Sequence, residues 1–311
     1  MSTDDLVLVT GRDPAALARS AETALGAPLP WVGEADARAA SATVWLASGL
    51  LPVTPRALPS LRWIHSAWAG IDRWLDRPEW SGSVVLTRTV ADFPERITEH
   101  VLGHLLAGEI DVVRAERQQA AKLWQRWTPG TLGGKTMLIA GHGEIGRRLA
   151  ATARAFDMST LGLRRGPVTA EERAAGIHTE EALPALLSRA DVVVSLLPAT
   201  PATESFWNAG RFERFKEGSV FVNVSRGRVV DDQALLASLE RGRPARAILD
   251  VFREEPLPAG SPYWSHPGVR ITPHVAGLGS ADSEGKAFAE NWKRWRAGEP
   301  LRHVVDRARG Y

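Results

Sequence analysis

Thr136-Met137-Leu138-Ile139-Ala140-Gly141-His142-Gly143-Glu144-Ile145-Gly146 is the stretch whose reading decides the fold. An apolar run, Thr136–Ala140, ends in a glycine turn. The turn opens a helical stretch, Glu144–Phe156, with Ile145, Leu149 and Ala153 on one stripe. Gly141, Gly143 and Gly146 fit the spacing G-x-G-x-x-G. Between a strand and a helix, that spacing is a dinucleotide-binding fingerprint. The first glycine permits the tight turn, the second lets the backbone approach a pyrophosphate, and the third lets helix and sheet pack closely. Glu144 and Ile145 begin the helix, whose N-terminus faces the anion.

Working outward, further apolar runs follow at Ser159–Leu163, Asp191–Leu196, Ser219–Val224, Ala245–Leu249 and Val269–Thr272, with helical segments between most of them. Continuous apolar strands of this kind belong to a parallel sheet covered on both faces. Before the fingerprint, Leu6–Thr10, Thr43–Leu46, Leu61–His65 and Val84–Thr87 repeat the pattern, with a helix at Asp13–Leu25. A long helix is expected from about Glu95 to Trp124, because Leu102, Leu105, Leu106, Ile110 and Val113 recur at helical spacing. A last helix is expected around Ala287–Arg296.

The chain has 311 residues, 24% charged and 44% hydrophobic, which matches a globular protein of about two domains. It has no cysteine, so disulfides, thiolate metal sites and a cysteine nucleophile are excluded. The net charge is +2 with arginines scattered, which argues against a nucleic-acid surface. No apolar run approaches a membrane span. The acidic start, Met1–Asp5, reads as a short tail rather than a signal peptide, so the cytoplasm is the expected compartment. His100 and His104 lie one helical turn apart, but Val101 stands where a zinc-protease helix needs Glu, and no third ligand is evident. No metal is expected. Asn223-Val224-Ser225 fits a glycosylation sequon but lies on an expected buried strand. Neither a G-x-S-x-G elbow nor a lysine-containing phosphate loop occurs.

The second strand bears on the cofactor. An NAD site usually carries Asp or Glu about twenty residues after the glycines, for the ribose 2′-hydroxyl. Here the strand ends in Leu163-Arg164-Arg165-Gly166, with no acid at that tip. Two guanidiniums suit a 2′-phosphate, so NADP(H) is expected to be preferred, with NAD(H) possible; an exposed basic turn is the alternative.

Three segments then place polar residues just past the carboxyl ends of strands: Asn223–Asp231 with Arg226, Ile248–Pro256 with Asp250 and Glu255, and Ile271–Gly277 with His274. That edge is where open α/β sheets bind ligands. With these segments and the glycine turn, the chain resembles the D-isomer-specific 2-hydroxyacid dehydrogenases, in particular their glyoxylate/hydroxypyruvate reductase A branch. Leu249–Pro258, Ser265–Val275 and Val305–Tyr311 carry the close likeness, and Trp63–Leu75 and Val44-Trp45 fit it.

The resemblance implies two Rossmann-like or flavodoxin-like, doubly wound parallel-sheet domains of α/β class, with the active site in the cleft between them. Residues 1–98 and 280–311 would form the substrate-binding domain and residues 99–279 the NAD(P)-binding Rossmann domain. It implies reduction of a 2-oxo acid to the D-2-hydroxy acid by hydride transfer, and a homodimer. Arg226, Glu255 and His274 fall on the catalytic positions. His274 would supply the proton to the nascent alkoxide, Glu255 would favour its imidazolium, and Arg226 would hold the substrate carboxylate and polarise the carbonyl. Asp250 falls where the family contacts the nicotinamide carboxamide; Leu197, Pro198, Thr203, Val224, Ser225 and Gly277 are further expected cofactor positions. Trp68–Asp72 resembles the substrate-carboxylate loop, with the Ala69 and Gly70 backbone as the donors. Trp45 and Trp68 either line the pocket or pack in a core or interface. Glyoxylate and hydroxypyruvate are the first substrates expected; a bulkier 2-oxo acid such as phenylpyruvate, or a catalytically silent NAD(P)-sensing protein, are the alternatives.

Overall fold

The computed structural model describes residues 5–48, 57–75 and 84–308. Residues 1–4 of the expected tail and the end of the Val305–Tyr311 motif after Ala308 lie outside these residues. The chain divides into two compact units: residues up to Phe93 together with those from Gly279 onward, and Pro94–Leu278. The crossings thus fall after Phe93 and after Leu278, where the sequence reading put them after residues 98 and 279. Phe93 is only 2% exposed and packs in the first unit, which draws that crossing back toward the amino terminus.

The first unit holds five parallel strands: β1 (Val7–Thr10), β2 (Trp31–Val32), β3 (Val44–Ala47), β4 (Trp63–Ser66) and β5 (Val85–Arg88), in the order β2-β1-β3-β4-β5. This is the flavodoxin-like order. Alternate residues fill two cores, as strand geometry demands. Leu8, Trp45, Ile64 and Leu86 face one layer; Val7, Val9, Val44, Leu46 and Trp63 face the other. The second layer is closed by the helices Pro14–Leu25 and Ala281–Ala297, which pack on each other. Asp13 caps the first helix by accepting the Ala16 N–H at 2.8 Å, and Gly26 ends it in the left-handed conformation. Ser280 and Ser283 cap the second reciprocally, so it begins six residues before the expected Ala287. Asp5, expected in the tail, is instead buried, where it accepts bonds from Thr43, Trp295 and Arg62.

The second unit holds β6 (Thr136–Ala140), β7 (Ser159–Leu163), β8 (Ile177–His178), β9 (Val192–Ser195), β10 (Val220–Asn223), β11 (Arg246–Leu249) and β12 (Val269–Ile271). All pair in parallel, in the order β12-β11-β10-β9-β6-β7-β8. The winding reverses between β6 and β9, so the fingerprint turn after β6 lies at the topological switch point. Leu138, Ala140, Val193, Phe221 and Leu249 face a core shared with Trp207, Phe212 and Leu235. Gly146, Leu149, Ala150 and Ala153 form the buried side of the helix Glu144–Arg154.

The sequence reading needs two corrections here. The helix expected from Glu95 to Trp124 is two helices, Phe93–Ile110 and Val112–Ala120, broken at Asp111 with φ 60°. Asp tolerates that conformation, and its carboxylate caps the second helix through the Arg114 N–H. Leu102 and Leu105 are buried in the unit, whereas Ile110 is exposed. The two-residue strands β2 and β8 are too short for a periodic signal and were not anticipated. Among the described residues, no helix is long and apolar enough to cross a membrane.

Candidate active site

The fingerprint turn is shaped by its glycines. Gly141 has φ 108°, and a Cβ there would lie 2.7 Å from the Leu196 carbonyl oxygen, so only glycine fits. A Cβ on Gly146 would lie 2.5 Å from the Gly141 carbonyl oxygen, which fixes the approach of helix to turn. Gly143 is the N-cap of Glu144–Arg154; it supplies no side chain to cap the helix, and the space around its α-carbon is open. The first N–H groups of this helix therefore face an open cradle, and that is what a pyrophosphate needs. Glu144 is exposed and Ile145 half-buried at its edge. Across the switch point, Thr203 ties its own loop: its hydroxyl donates to the Pro198 carbonyl at 2.6 Å and accepts the Thr200 N–H at 2.8 Å, while Leu197 packs on the core.

At the tip of β7 the structure adds an acid that the sequence reading did not place there. Arg164 Nη1 bonds Glu172 Oε1 at 2.8 Å, from the helix Ala170–Ala174. Glu172 also closes a capping box with Thr169, whose N–H it accepts, and this bond together with Arg164 keeps its carboxyl below the ordinary range. The acid lies eight residues beyond Arg164 in sequence and returns only because the chain turns into that short helix. Arg165 is exposed. His142 lies beside this tip, half-buried.

Arg226, Glu255 and His274 stand at the ends of β10, β11 and β12. Glu255 Oε2 meets His274 Nδ1 at 2.7 Å, and Glu255 Oε1 accepts the Phe252 N–H at 2.9 Å. Burial pushes the Glu255 carboxyl up, but the His274 and Phe252 bonds and the charges of His274 and Arg226 outweigh it, leaving it below the ordinary range. It is therefore ionised at neutral pH. His274 has φ 54°, a conformation rare outside glycine, and its side chain is 47% exposed.

The loops beneath are tied by buried polar groups. Trp207 Nε1 donates to Ser195, which bonds Ser225; the Ser225 hydroxyl donates to Asn223 Oδ1, and Asn223 Nδ2 donates to the Arg226 carbonyl. Val224 and Ser225 are thus buried, with the Ser225 hydroxyl committed to this scaffold rather than to the rim. Asp250, 1% exposed, accepts the Thr272 hydroxyl at 2.5 Å and the Val275 and Ala276 N–H groups at 2.9 and 3.0 Å, so its carboxylate shapes the His274 turn. His100 reaches Thr272 at 3.3 Å, and its ring lies 4.6 Å from that of His104. Among the described residues, no group of three or more side chains could hold a metal. Gly277 lies against Ile97.

Two site-building residues escaped the sequence reading. A Cβ on Gly227 would fall 1.9 Å from the Phe252 carbonyl carbon, so the Arg226 loop lies flat on the segment leading to Glu255. Arg253 bonds Glu204, Ser205 and the carbonyls of Arg228 and Val230, joining three loops. The glycine next to Arg226 was a readable signal; for Arg253 the partners come from separate loops, and no local pattern names them.

The remaining expected residues belong to the first unit. Trp45 is wholly buried, donates to Thr10 Oγ1 at 2.9 Å and packs edge-on to Trp74 at 5.1 Å, so of its two readings the structure takes core packing. Trp68 is 39% exposed. Ala69 and Gly70 are half-buried.

A sequence profile of the D-isomer specific 2-hydroxyacid dehydrogenase NAD binding domain matches residues 102–276. The D-isomer specific 2-hydroxyacid dehydrogenase of Xanthobacter autotrophicus Py2, solved in complex with NADPH and MES, is 30% identical with full coverage of both chains and a TM-score of 0.86. The NADPH-dependent glyoxylate/hydroxypyruvate reductase of Sinorhizobium meliloti, solved with NADP and sulfate, is 27% identical over 99% of this chain and 100% of that one, with a TM-score of 0.85. Glyoxylate/hydroxypyruvate reductase A of Yersinia enterocolitica is 29% identical over 257 residues, 81% of this chain and 82% of that protein.

Proposed function

Since the chain belongs to the D-isomer specific 2-hydroxyacid dehydrogenases, we propose that it reduces a small 2-oxo acid, of glyoxylate or hydroxypyruvate type, to the D-2-hydroxy acid, with NADPH preferred over NADH. The observation that carries this reading is the Glu255–His274 pair at 2.7 Å, within the influence of the Arg226 charge. When bound, the reduced nicotinamide supplies the hydride that the carbonyl carbon accepts. His274 then delivers a proton from Nε2 to the carbonyl oxygen, since Nδ1 is engaged by Glu255. The ionised Glu255 steadies the imidazolium before transfer and holds the ring's orientation afterwards. Arg226 binds the substrate carboxylate and polarises the ketone. Gly141 and Gly143–Gly146 would hold the pyrophosphate and Arg164 and Arg165 the 2′-phosphate. The NADPH and NADP bound to the Xanthobacter and Sinorhizobium relatives support the choice of cofactor. Exposed Ile110, Leu123 and Trp124 fit the homodimer expected for the family.

The deciding experiment is a steady-state panel of glyoxylate, hydroxypyruvate, pyruvate and phenylpyruvate with NADPH and NADH. The reading expects highest kcat/KM for one of the first two with NADPH. Equal or better efficiency with NADH overturns the cofactor choice, and absence of turnover with every 2-oxo acid overturns the reaction.

A further inference from the structure

We propose that His142 is a third ligand of the cofactor's 2′-phosphate, beside Arg164 and Arg165, and that it takes up a proton as that phosphate binds. This rests on the reading of NADP(H) as cofactor and goes beyond it, because it makes the preference depend on pH.

The geometry begins with the backbone. The N–H groups of Gly141 and His142 both donate to the Leu163 carbonyl at 3.0 Å, which pins the fingerprint turn to the tip of β7. The His142 ring then fills the space left by the missing side chain of Gly162: a Cβ there would lie 2.5 Å from His142 Cδ2. Gly162 lies on β7 and Arg164 follows its last residue, where the Arg164 N–H donates to the His178 carbonyl and continues the pairing with β8, so the two face the same side of the sheet. Imidazole and guanidinium therefore leave the strand tip together, at the place where this fold meets the 2′ position of the ribose. Glu172 steadies Arg164 without covering the ring nitrogens of His142 with a bond of its own.

The charged groups around the ring are Arg147 and Arg154 from the following helix, Arg164 from β7 and Glu172 from the next helix. His178 ends the neighbouring strand, where its carbonyl accepts the Arg164 N–H. Burial first, and then the three guanidiniums, hold the imidazole below its ordinary range, so it is neutral in the free protein at neutral pH. A 2′-phosphate brings a charge of about −1.5 to −2 and reverses that balance in favour of the imidazolium. The proton comes from solvent. An arginine in this position would give a preference independent of pH; a histidine gives one that strengthens as pH falls, until the phosphate itself protonates near pH ~6. NAD+ lacks the phosphate and drives no such uptake.

Isothermal titration calorimetry of the full chain with NADP+ and with NAD+, in two buffers of different ionisation enthalpy at pH 7, tests this without turnover. Net proton uptake is expected with NADP+ and not with NAD+. In His142→Gln the uptake disappears and the NADP+ Kd weakens about tenfold, the loss of a charged hydrogen bond, while the NAD+ Kd stays within about twofold. Histidine-selective NMR of the unmutated protein reads the same event directly: the His142 ring shifts to its protonated form with NADP+ and not with NAD+. A wild-type protein that binds NADP+ no tighter than NAD+ overturns the cofactor reading and this inference with it. A kept preference with no uptake, or with a His142 ring that stays neutral, overturns this inference alone.

Discussion

At the scale of single residues, the proposed chemistry rests on one short contact. Glu255 is held ionised by His274, the Phe252 amide and Arg226, and burial alone would have pushed it the other way. His274→Ala is expected to lower kcat by about 10²–10⁴, the usual worth of a positioned proton donor, while the dinucleotide Kd measured by fluorescence changes little. Glu255→Gln keeps the shape but removes the anion beside Nδ1. Its kcat for reduction is expected to fall about tenfold or more in steady-state assays at fixed pH, because the proton donor loses the charge that steadies it. An unchanged kcat would show that the charge of Glu255 plays no part in the step and that Glu255 only fixes the ring. The residues of this site were legible individually, because each follows an apolar strand in a polar motif. Their contact was not: 29 residues separate Arg226 from Glu255 and 19 separate Glu255 from His274, and only the parallel pairing of β10, β11 and β12 sets their ends side by side.

At the scale of elements, the strand–turn–helix after β6 separates two demands that one motif merges. Gly146 is closed in by the Gly141 carbonyl, whereas Gly143 has open space. Gly146→Ala is expected to lower stability by about 1–3 kcal/mol through overpacking against backbone, read as a fall in Tm. Gly143→Ala is expected to keep the wild-type Tm and yet weaken dinucleotide binding at least about tenfold, because its methyl would stand where the pyrophosphate approaches. Loss of Tm in both variants would make the turn a packing motif only. This element was legible but for the end of its helix, expected at Phe156 and found at Arg154, and its strand matches residue for residue at Thr136–Ala140, because turn chemistry and hydrophobic period are local properties. The break at Asp111 was not. An apolar stripe running past it mimics one helix, and the left-handed aspartate is recognisable only by what its carboxylate caps.

At the scale of the whole molecule, stability carries a pH signature of its own. Glu284 is 8% exposed in the first unit; burial, and then the charge of Asp92, push its carboxyl up to about 7. In the unfolded chain it titrates near ~4.3. Because the folded pKa is raised, the folded state binds more protons between these values. Glu284's contribution is therefore fully present below about pH 4 and lost as pH rises through about 7. The cost above that is roughly 4 kcal/mol. Glu284→Gln is expected to raise Tm at pH 8 and to leave it nearly unchanged at pH 5, by scanning calorimetry. His65, held near 3 by burial, works in the opposite direction, losing stability as pH falls below its unfolded value of ~6.5, and it is common to both proteins in that comparison.

The sequence by itself determined the two parallel-sheet architectures, the dinucleotide turn and the identity of the polar residues at the strand ends. Those properties follow from apolar periodicity and from glycine and arginine chemistry within a few residues of each other. Tertiary structure alone decided that Trp45 is core, that Glu172 folds back onto Arg164, that Asp250 builds the His274 turn, and that His142 stands over Gly162. Each of those depends on which distant segments the sheet brings within a hydrogen bond's length, and spacing along the chain carries no record of that distance.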